Sequence, residues 1–563
     1  MKRRILYAAG AVMVLMIAWR LPTQWYYSLP RDPDTPPLPF SGVDLLRWTF
    51  VIEAILLAVL ASAKWTWQSI PENELLRLRR PEASSDLSRS RALIAVAFIT
   101  LVAIVLRSYK LGSDLWLDEI TPIVDYGHMP VVQVIGSYLR TNNHLLNTLL
   151  TRLSIGAFGE SEWSVRFPAV LFGVATIPVF YWVARVVLSR WASVAATAVL
   201  AVSYHHIFFS QNARGYSAAL FFALATSGLL IKALADDKKS RWLLYAVCMF
   251  LGLASLAQTA FVFAAHFIVG LIAVILIRKR AGSAAPLARR LAIVFGITAL
   301  ISFQLYATPL PEMYAVITHL YVREATGFAP FSLVFLREIV RGVTSGLGGV
   351  VPSVLFLMVG AAGTVFLVRA NWILAAALGL PPVLTAIFLL ARGLSFSPRF
   401  FLLLLPFGIL ASLSVAESPA MRYPRRAVLL AVLFALASLI SLRRYYNTPK
   451  QPYRAALAFL ERTRHPGEKF LIIYAAEQGF RYYVPKVAAG NRDAYVYVRT
   501  VTSFDSLVSR TNANDRVVTT FPRVLHDDIP ELADRIESGW RPQRLFSATI
   551  GDGEITVWEK KSP

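Results

Sequence analysis

The stretch AFVFAAHFIVGLIAVILIRKR at residues 260–280 shows the two features that decide the fold: a continuous apolar run and a basic cluster directly after it. Such a run is long enough to cross a hydrocarbon core about 30 Å thick as an α-helix. Similar runs recur along most of the chain, which is 56% hydrophobic with a mean hydropathy of +0.53. Because the runs are continuous rather than alternating, they argue against a β-barrel. The sequence predicts a polytopic α-helical membrane protein.

We predict about thirteen transmembrane helices. Their candidate ranges are 4–21, 45–63, 92–107, 167–184, 191–209, 217–234, 242–257, 260–277, 291–308, 350–368, 372–390, 400–416 and 425–442. The first follows Lys2, Arg3 and Arg4, as in a secretory signal, but residues 17–20 (IAWR) offer no small-residue cleavage site. We therefore expect this span to be retained.

The formal net charge of +23 has its simplest explanation in membrane topology. If the N-terminus is cytoplasmic, every even-numbered loop between consecutive spans is also cytoplasmic. The basic clusters of these loops then all lie on the cytoplasmic side of the membrane, as the positive-inside tendency requires. These clusters lie in the ranges 77–91, 185–190, 238–241, 278–290 and 422–426. The outer face then carries the loops 108–166 and 309–349 and everything after residue 442. We predict a multi-pass protein of the bacterial inner membrane, with an extracytoplasmic C-terminal domain.

Nucleic acid is excluded as a partner, because no basic stripe interleaved with aromatic residues lies in a folded segment. The single cysteine, Cys248, excludes an internal disulfide and a cysteine-built metal site.

Three regions follow from this pattern. Residues 1–91 hold two leading spans and a basic cytoplasmic loop, residues 92–445 hold the remaining spans, and residues 446–563 form a soluble domain. The last region alternates predicted helices near 452–463, 475–483, 503–510 and 528–538 with strands at 469–474, 494–500, 515–520, 542–549 and 553–559. This order predicts a small α/β domain, and the lack of a Gly-rich phosphate loop argues against a nucleotide.

Polar residues at the outer membrane boundary are the candidates for chemistry, because burying them is costly unless they are paired or used. Asp118 and Glu119 follow the third span, where an adjacent carboxylate pair could supply a general base. The alternative is a pair of helix-start carboxylates stabilised by the helix dipole.

Three further candidates lie on the same predicted side. His144 begins an amphipathic stretch at 144–157 and suits contact with a phosphate or an acceptor, although a surface histidine or helix cap explains it equally well. Arg214 and Arg399 stand where the charge rule disfavours arginine, and guanidinium groups suit bidentate phosphate contacts. Snorkelling to the interface is the alternative for both arginines. The stretches 130–140 and 144–157 favour helices in the interface plane, or else helices packed under the outer domain. Glu53, inside the second span, has no assigned role.

Together these motifs resemble bacterial family-39-type glycosyltransferases, relatives of protein O-mannosyltransferases and of the lipid A aminoarabinose transferase. The resemblance runs over roughly residues 92–445. It rests on LWLDE at 115–119, NHLL at 143–146, EWSVRFP at 162–168, ARGY at 213–216 and PRF at 398–400. The NHLL stretch lacks the prolines of the family's corresponding motif.

This resemblance implies a GT-C fold and a polyprenyl-phosphate monosaccharide as the donor, used on the outer face. Asp118 would deprotonate an acceptor hydroxyl on a lipid, a glycan or a protein, and the attack would invert the anomeric carbon. Glu119 would position the acceptor or hold a neighbouring arginine or histidine. Arg214 and Arg399 would stabilise the leaving phosphate, and Tyr216 would line the same pocket. His144 would bind substrate, through either a phosphate or the acceptor.

No cofactor is expected to be required, although Asp118, Glu119 and His144 could instead hold a divalent cation. The loop 309–349, with its glycine-rich run at 345–349, could close over the acceptor or be a plain connector. The competing function is a transporter or lipid flippase. That function predicts ionisable residues near mid-membrane in corresponding halves of the chain, a repeat that the sequence does not show.

Overall fold

The computed structural model describes residues 2–31, 37–62, 86–139, 142–324, 340, 344, 349–392, 394, 397–416, 424–510, 512 and 514–561. The chain divides into two compact units. The larger unit comprises residues 1–109, 129–154 and 166–441, and the smaller unit comprises residues 110–128, 155–165 and 442–563. The predicted glycine-rich part of the loop 309–349 lies outside the described residues, apart from Gly349.

Each predicted span coincides with a helix, a bent helix pair, or a 3₁₀ turn followed by a helix. The membrane-length helices and their short neighbours are Lys2–Arg20, Thr23–Tyr27, Gly42–Ser62, Arg89–Ser108, Val131–Gly136, Leu145–Phe158, Glu162–Ala184, Arg190–Val202, Tyr204–Ser210, Tyr216–Asp236, Lys239–Ser255, Thr259–Ala281, Ala285–Ala307, Leu310–Glu324, Val350–Ala370, Trp372–Ala391, Pro398–Phe401 (3₁₀), Leu404–Ala416 and Pro424–Asn447.

The polytopic helical class is confirmed, whereas the number of spans is not. Within the described residues, eight helices are long and apolar enough to cross a membrane. A ninth is added if Arg190–Val202 and Tyr204–Ser210, which meet at a 57° bend, form one span. The helices at the predicted spans 4–21, 45–63, 242–257 and 400–416 are not among these eight.

The helix Leu145–Phe158 lies at the second predicted amphipathic stretch, and its polar face is turned inward. Asn147, Thr148, Thr151 and Ser154 are buried, while apolar side chains such as Leu153 are exposed. An apolar outer face over a polar inner one is the reverse of a water-exposed amphipathic helix, and it suits contact with lipid.

The smaller unit contains a mixed five-stranded sheet. The strands are β1 (Phe470–Ile473), β2 (Tyr495–Val498), β3 (Arg516–Thr520), β4 (Trp540–Phe546) and β5 (Ile555–Lys560), in the spatial order β2-β1-β3-β5-β4. β1 runs parallel to β2 and β3, and β5 runs antiparallel to β3 and β4. All four residues of β1 are buried, as expected for a parallel strand covered on both faces.

The helices of this unit are Leu117–Tyr126, Tyr453–Arg462, Glu477–Val487, Val501–Val508, Pro522–Asp528 and Pro530–Gly539, with 3₁₀ turns at Tyr474–Ala476 and Ala489–Ala494. The predicted C-terminal α/β domain is therefore confirmed. The helix Pro522–Asp528 was not predicted, and it begins where Phe521 adopts a left-handed conformation with φ 52°.

Candidate active site

In the larger unit, His144 is buried with a fixed hydrogen-bonding pattern. The residue precedes the helix Leu145–Phe158 and is 7% exposed. Its Nδ1 accepts a hydrogen bond from the main-chain N–H of Gly215 at 2.8 Å. A neutral imidazole that accepts at Nδ1 carries its proton on Nε2, so Nε2 is a donor. This environment contradicts the alternative of a surface histidine, and the side chain does not cap its own helix.

Arg214 lies beside this imidazole. Its Nη2 is 3.4 Å from Nε2 of His144 and donates to Oδ1 of Asn142 at 2.8 Å. The guanidinium carbon also lies 5.3 Å from the centre of the Tyr216 ring, within cation–π range. Arg214 is only 4% exposed, so its side chain does not snorkel to an aqueous surface.

Arg399 contributes a second positive charge to the same region. Burial and the charges of Arg214 and Arg399 hold the pKa of His144 well below its usual range. Arg399 also lines a pocket with Tyr216, Gln258 and Thr259, whose remaining walls are largely apolar. These apolar wall residues include Leu220, Leu256, Val262, Leu402 and Leu403. A polar end and an apolar wall are the features that a phosphate on a hydrocarbon chain would contact.

Close packing of the main chain sets the position of Gly215. A Cβ at this residue would come 1.9 Å from the carbonyl oxygen of Ser255, which is the last residue of the helix Lys239–Ser255. Only glycine allows this approach. Asn147 also holds this loop, because its Nδ2 donates to the carbonyl of Ala213 at 3.0 Å.

A buried arginine that sequence reasoning did not single out supports the start of this loop. Arg107 is fully buried and donates to the carbonyl of Ala201, at the bend before Tyr204, and to Nδ1 of His206 at 2.6 Å. Nε2 of Gln211 in turn donates to the carbonyl of Arg107 at 2.8 Å. The signal in the sequence was weak, because an arginine at the end of a span is commonly a boundary residue.

The two predicted carboxylates belong to the smaller unit, in the first turn of the helix Leu117–Tyr126. Glu119 is fully buried and forms an ion pair with Lys450 at 3.3 Å, and its Oε2 accepts from the N–H of Trp116. One partner of Glu119 is thus a lysine of the C-terminal region. Asp118 is half-buried. The helix-start alternative accounts for the position of both residues, but not for the buried lysine.

The structure thus groups the predicted site residues in two sets. His144, Arg214, Tyr216 and Arg399 lie together in the larger unit. Asp118 and Glu119 lie in the smaller one. Lys450 and Gln451 were missed, although this polar pair stands out at the start of the C-terminal region between two prolines.

Over the described part of the chain, no group of three or more His, Cys, Asp or Glu side chains is arranged to hold a metal ion. Glu53, to which the sequence assigned no role, accepts a hydrogen bond from Nε2 of Gln304 at 3.5 Å.

Part of the chain is similar to a known protein family. A family model described as dolichyl-phosphate-mannose-protein mannosyltransferase matches residues 145–307, which confirms the predicted resemblance. The search of curated proteins gives no match.

Among solved structures, ArnT from Cupriavidus metallidurans bound to undecaprenyl phosphate is similar, at 13% identity and a TM-score of 0.48, over 84% of this chain and 98% of that one. The archaeal oligosaccharyltransferase AglB from Archaeoglobus fulgidus, in complex with an inhibitory peptide and a dolichol-phosphate, is similar at 14% identity and a TM-score of 0.46. That match covers 80% of this chain and 72% of that one.

Proposed function

We propose that this protein is an inverting glycosyltransferase that moves a monosaccharide from a polyprenyl-phosphate donor to an acceptor hydroxyl outside the cytoplasm. The acceptor class is a lipid, a glycan or a protein. The observation that carries the proposal is the convergence of Arg214 and Arg399 on a buried, neutral His144. The family match over residues 145–307 includes two of the residues that form this cluster, Arg214 and Tyr216.

The cluster suits the phosphate of the donor. Two guanidinium groups and the Nε2–H of His144 present donors to one region, and guanidinium groups match phosphate oxygens in a bidentate geometry. Charge on the leaving polyprenyl phosphate grows as its bond to the sugar breaks, so fixed donors in a dry site stabilise the transition state more than the ground state. The first part of the lipid chain is proposed to lie against the apolar side chains beside Arg399.

Asp118 is proposed as the general base. Its carboxylate accepts the proton of the acceptor hydroxyl, and the hydroxyl oxygen attacks the anomeric carbon from the face opposite the phosphate. The bond between the anomeric carbon and the phosphate oxygen breaks, and polyprenyl phosphate leaves with the electron pair. Glu119 is buried against Lys450 and therefore serves the conformation of this segment.

The orientation of the protein in the membrane is part of this proposal. A cytoplasmic N-terminus in the bacterial inner membrane places the C-terminal domain and the helix Leu117–Tyr126 outside the cytoplasm. Cationic side chains supply the charge stabilisation, so the proposed reaction needs no metal. Transfer that is abolished by EDTA and restored by a divalent cation would contradict this part.

The decisive experiment is transfer of radiolabelled sugar from a panel of polyprenyl-phosphate donors to membrane lipids, glycans and proteins. Purified wild type is compared with Asp118→Asn and with Asp505→Asn, an exposed carboxylate of the same unit that pairs with Arg535. We expect wild type and Asp505→Asn to transfer sugar. Asp118→Asn should bind the donor normally and lose transfer by at least about 100-fold.

Donor binding is tested separately with Arg214→Gln and Arg399→Gln, using Arg369→Gln as the control because Arg369 is exposed at the end of the helix Val350–Ala370. Both site variants should bind a polyprenyl phosphate more weakly, whereas the control should not. A broad donor panel without any transfer, together with movement of labelled lipid across vesicles, would replace this proposal with a flippase.

A further inference from the structure

The segment around Asp118 is held through its main chain by distant residues of the smaller unit. The N–H of Leu115 donates to the hydroxyl of Tyr483 at 2.7 Å, and the N–H of Leu117 donates to Oε1 of Gln451 at 2.6 Å. The first amides of a helix have no partner within the helix. Gln451 therefore caps the helix Leu117–Tyr126 from 334 residues further along the chain.

Gln451 connects this helix to the sheet. Its Nε2 lies within hydrogen-bonding distance of Oγ1 of Thr520 at 3.3 Å and of the carbonyl of Gly553 at 3.4 Å. Thr520 is the last residue of β3, at the carboxyl edge of the parallel strands. One turn into the helix, Oγ1 of Thr121 lies 2.6 Å from Oε1 of Gln478, which belongs to the helix that follows β1. The helix is thus held by the rest of the α/β fold at two positions, at Leu117 and one turn later at Thr121.

Lys450 fixes the rotation of the helix about its axis. The side chains of Lys450 and Glu119 are 2% and 0% exposed and lie 3.3 Å apart. A buried charge that loses its partner is strongly unfavourable, so Glu119 cannot turn away from Lys450 at low cost. Adjacent residues of a helix point about 100° apart, and fixing the direction of Glu119 therefore fixes the direction of Asp118.

We propose that Lys450 and Gln451 are positioning residues for Asp118. Through them, the C-terminal α/β domain holds the general base in position. This inference rests on the function proposed above. Lys450 and Gln451 do not touch the reacting atoms in this scheme. They act on the rate through the placement of the Asp118 carboxylate, because small displacements of a catalytic group cause large losses of rate.

A double-mutant cycle on the full-length protein tests this inference. Single-turnover transfer and donor binding are measured for wild type, Lys450→Met, Asp118→Asn and the double variant. Lys450→Met should lower the transfer rate by about 10- to 100-fold while leaving the donor dissociation constant within about twofold. In the Asp118→Asn background the same substitution should change the residual rate by less than about twofold, because the group that it positions is already gone.

The matched control is Lys486→Met, which removes another lysine–glutamate pair of the same unit, with Glu160 at 2.9 Å. Lys486 is 31% exposed, and its loss should leave the rate within about twofold. Lys450→Arg, which keeps the positive charge, should recover part of the rate. Gln451→Leu leaves the buried ion pair in place and should repeat the non-additive pattern, which provides the test if Lys450→Met does not fold.

Equal losses in both Asp118 backgrounds would overturn the inference, as would a Lys450→Met rate within about twofold of wild type. These outcomes can be distinguished from a failure of the proposed function. If wild type transfers no sugar, or if Asp118→Asn transfers normally, the glycosyltransferase proposal or the role of Asp118 fails before Lys450 is considered.

Discussion

Replacing Gly215 by alanine tests the packing on which the donor site depends. The new Cβ would lie 1.9 Å from the main-chain oxygen of Ser255, whereas ordinary contact begins at 3.4 Å. Because the opposing atom belongs to the main chain, the loop itself must move. Such a movement breaks the 2.8 Å hydrogen bond from Gly215 to Nδ1 of His144 and displaces the adjacent Arg214.

The expected magnitude follows from two contributions. Overpacking of a close contact costs about 1–3 kcal/mol, and the loss of one hydrogen bond at a buried imidazole costs about 1 kcal/mol. We therefore expect Gly215→Ala to unfold at a lower temperature than wild type. Misplacement of His144 and Arg214 should also weaken binding of a polyprenyl phosphate by about tenfold, which corresponds to about 1.4 kcal/mol.

Thermal unfolding in detergent and equilibrium titration with a polyprenyl phosphate measure these two effects. The control is Gly296→Ala, in the helix Ala285–Ala307 of the same unit, where a Cβ would meet nothing within 4 Å. It should match or exceed wild type in stability, because alanine favours a helix by about 1 kcal/mol over glycine. If Gly215→Ala melts and binds like wild type, the proposed dependence of the donor site on this close approach is wrong.

Three more changes test the electrostatics of the larger unit. Since the pKa of His144 lies well below its usual range, only the unfolded chain protonates it below about pH 6.5. Wild type should lose stability relative to His144→Gln by up to about 1.4 kcal/mol per pH unit below that point, and thermal melts that stay parallel from pH 8 to pH 5 would contradict this. Arg214→Lys should weaken binding of a polyprenyl phosphate about tenfold, because an ammonium group cannot contact both Asn142 and a phosphate as a planar fork does; unchanged affinity in a titration would speak against the bidentate contact. Arg290→Met removes a nearly buried bidentate partner of Asp237 and should cost about 3 kcal/mol in unfolding experiments without changing donor affinity.

The architecture was predicted from local sequence patterns. These patterns were sufficient to locate a helix or strand whose conformation does not depend on contacts with distant residues. The apolar run at 260–277 lies within the helix Thr259–Ala281, and the strand predicted at 515–520 is β3. The span predicted at 191–209 is instead bent by 57° before Tyr204. Hydropathy did not reveal this bend, because both halves are apolar. The carbonyl of Ala201, next to the bend, accepts a hydrogen bond from Arg107, which lies 94 residues earlier in the chain.

By itself, the sequence determined the membrane class, the positions of the apolar helical segments, the α/β character of the C-terminal domain and the residue types suited to phosphate and proton transfer. These properties follow from the transfer of apolar segments into lipid and from short-range periodicity, which each segment carries alone. Only the tertiary structure decided which of those residues meet. Glu119 pairs with Lys450 across 331 residues, and His144 receives the N–H of Gly215 across 71 residues. Such contacts depend on burial and on the exact fit of distant segments, which no local pattern in the chain records.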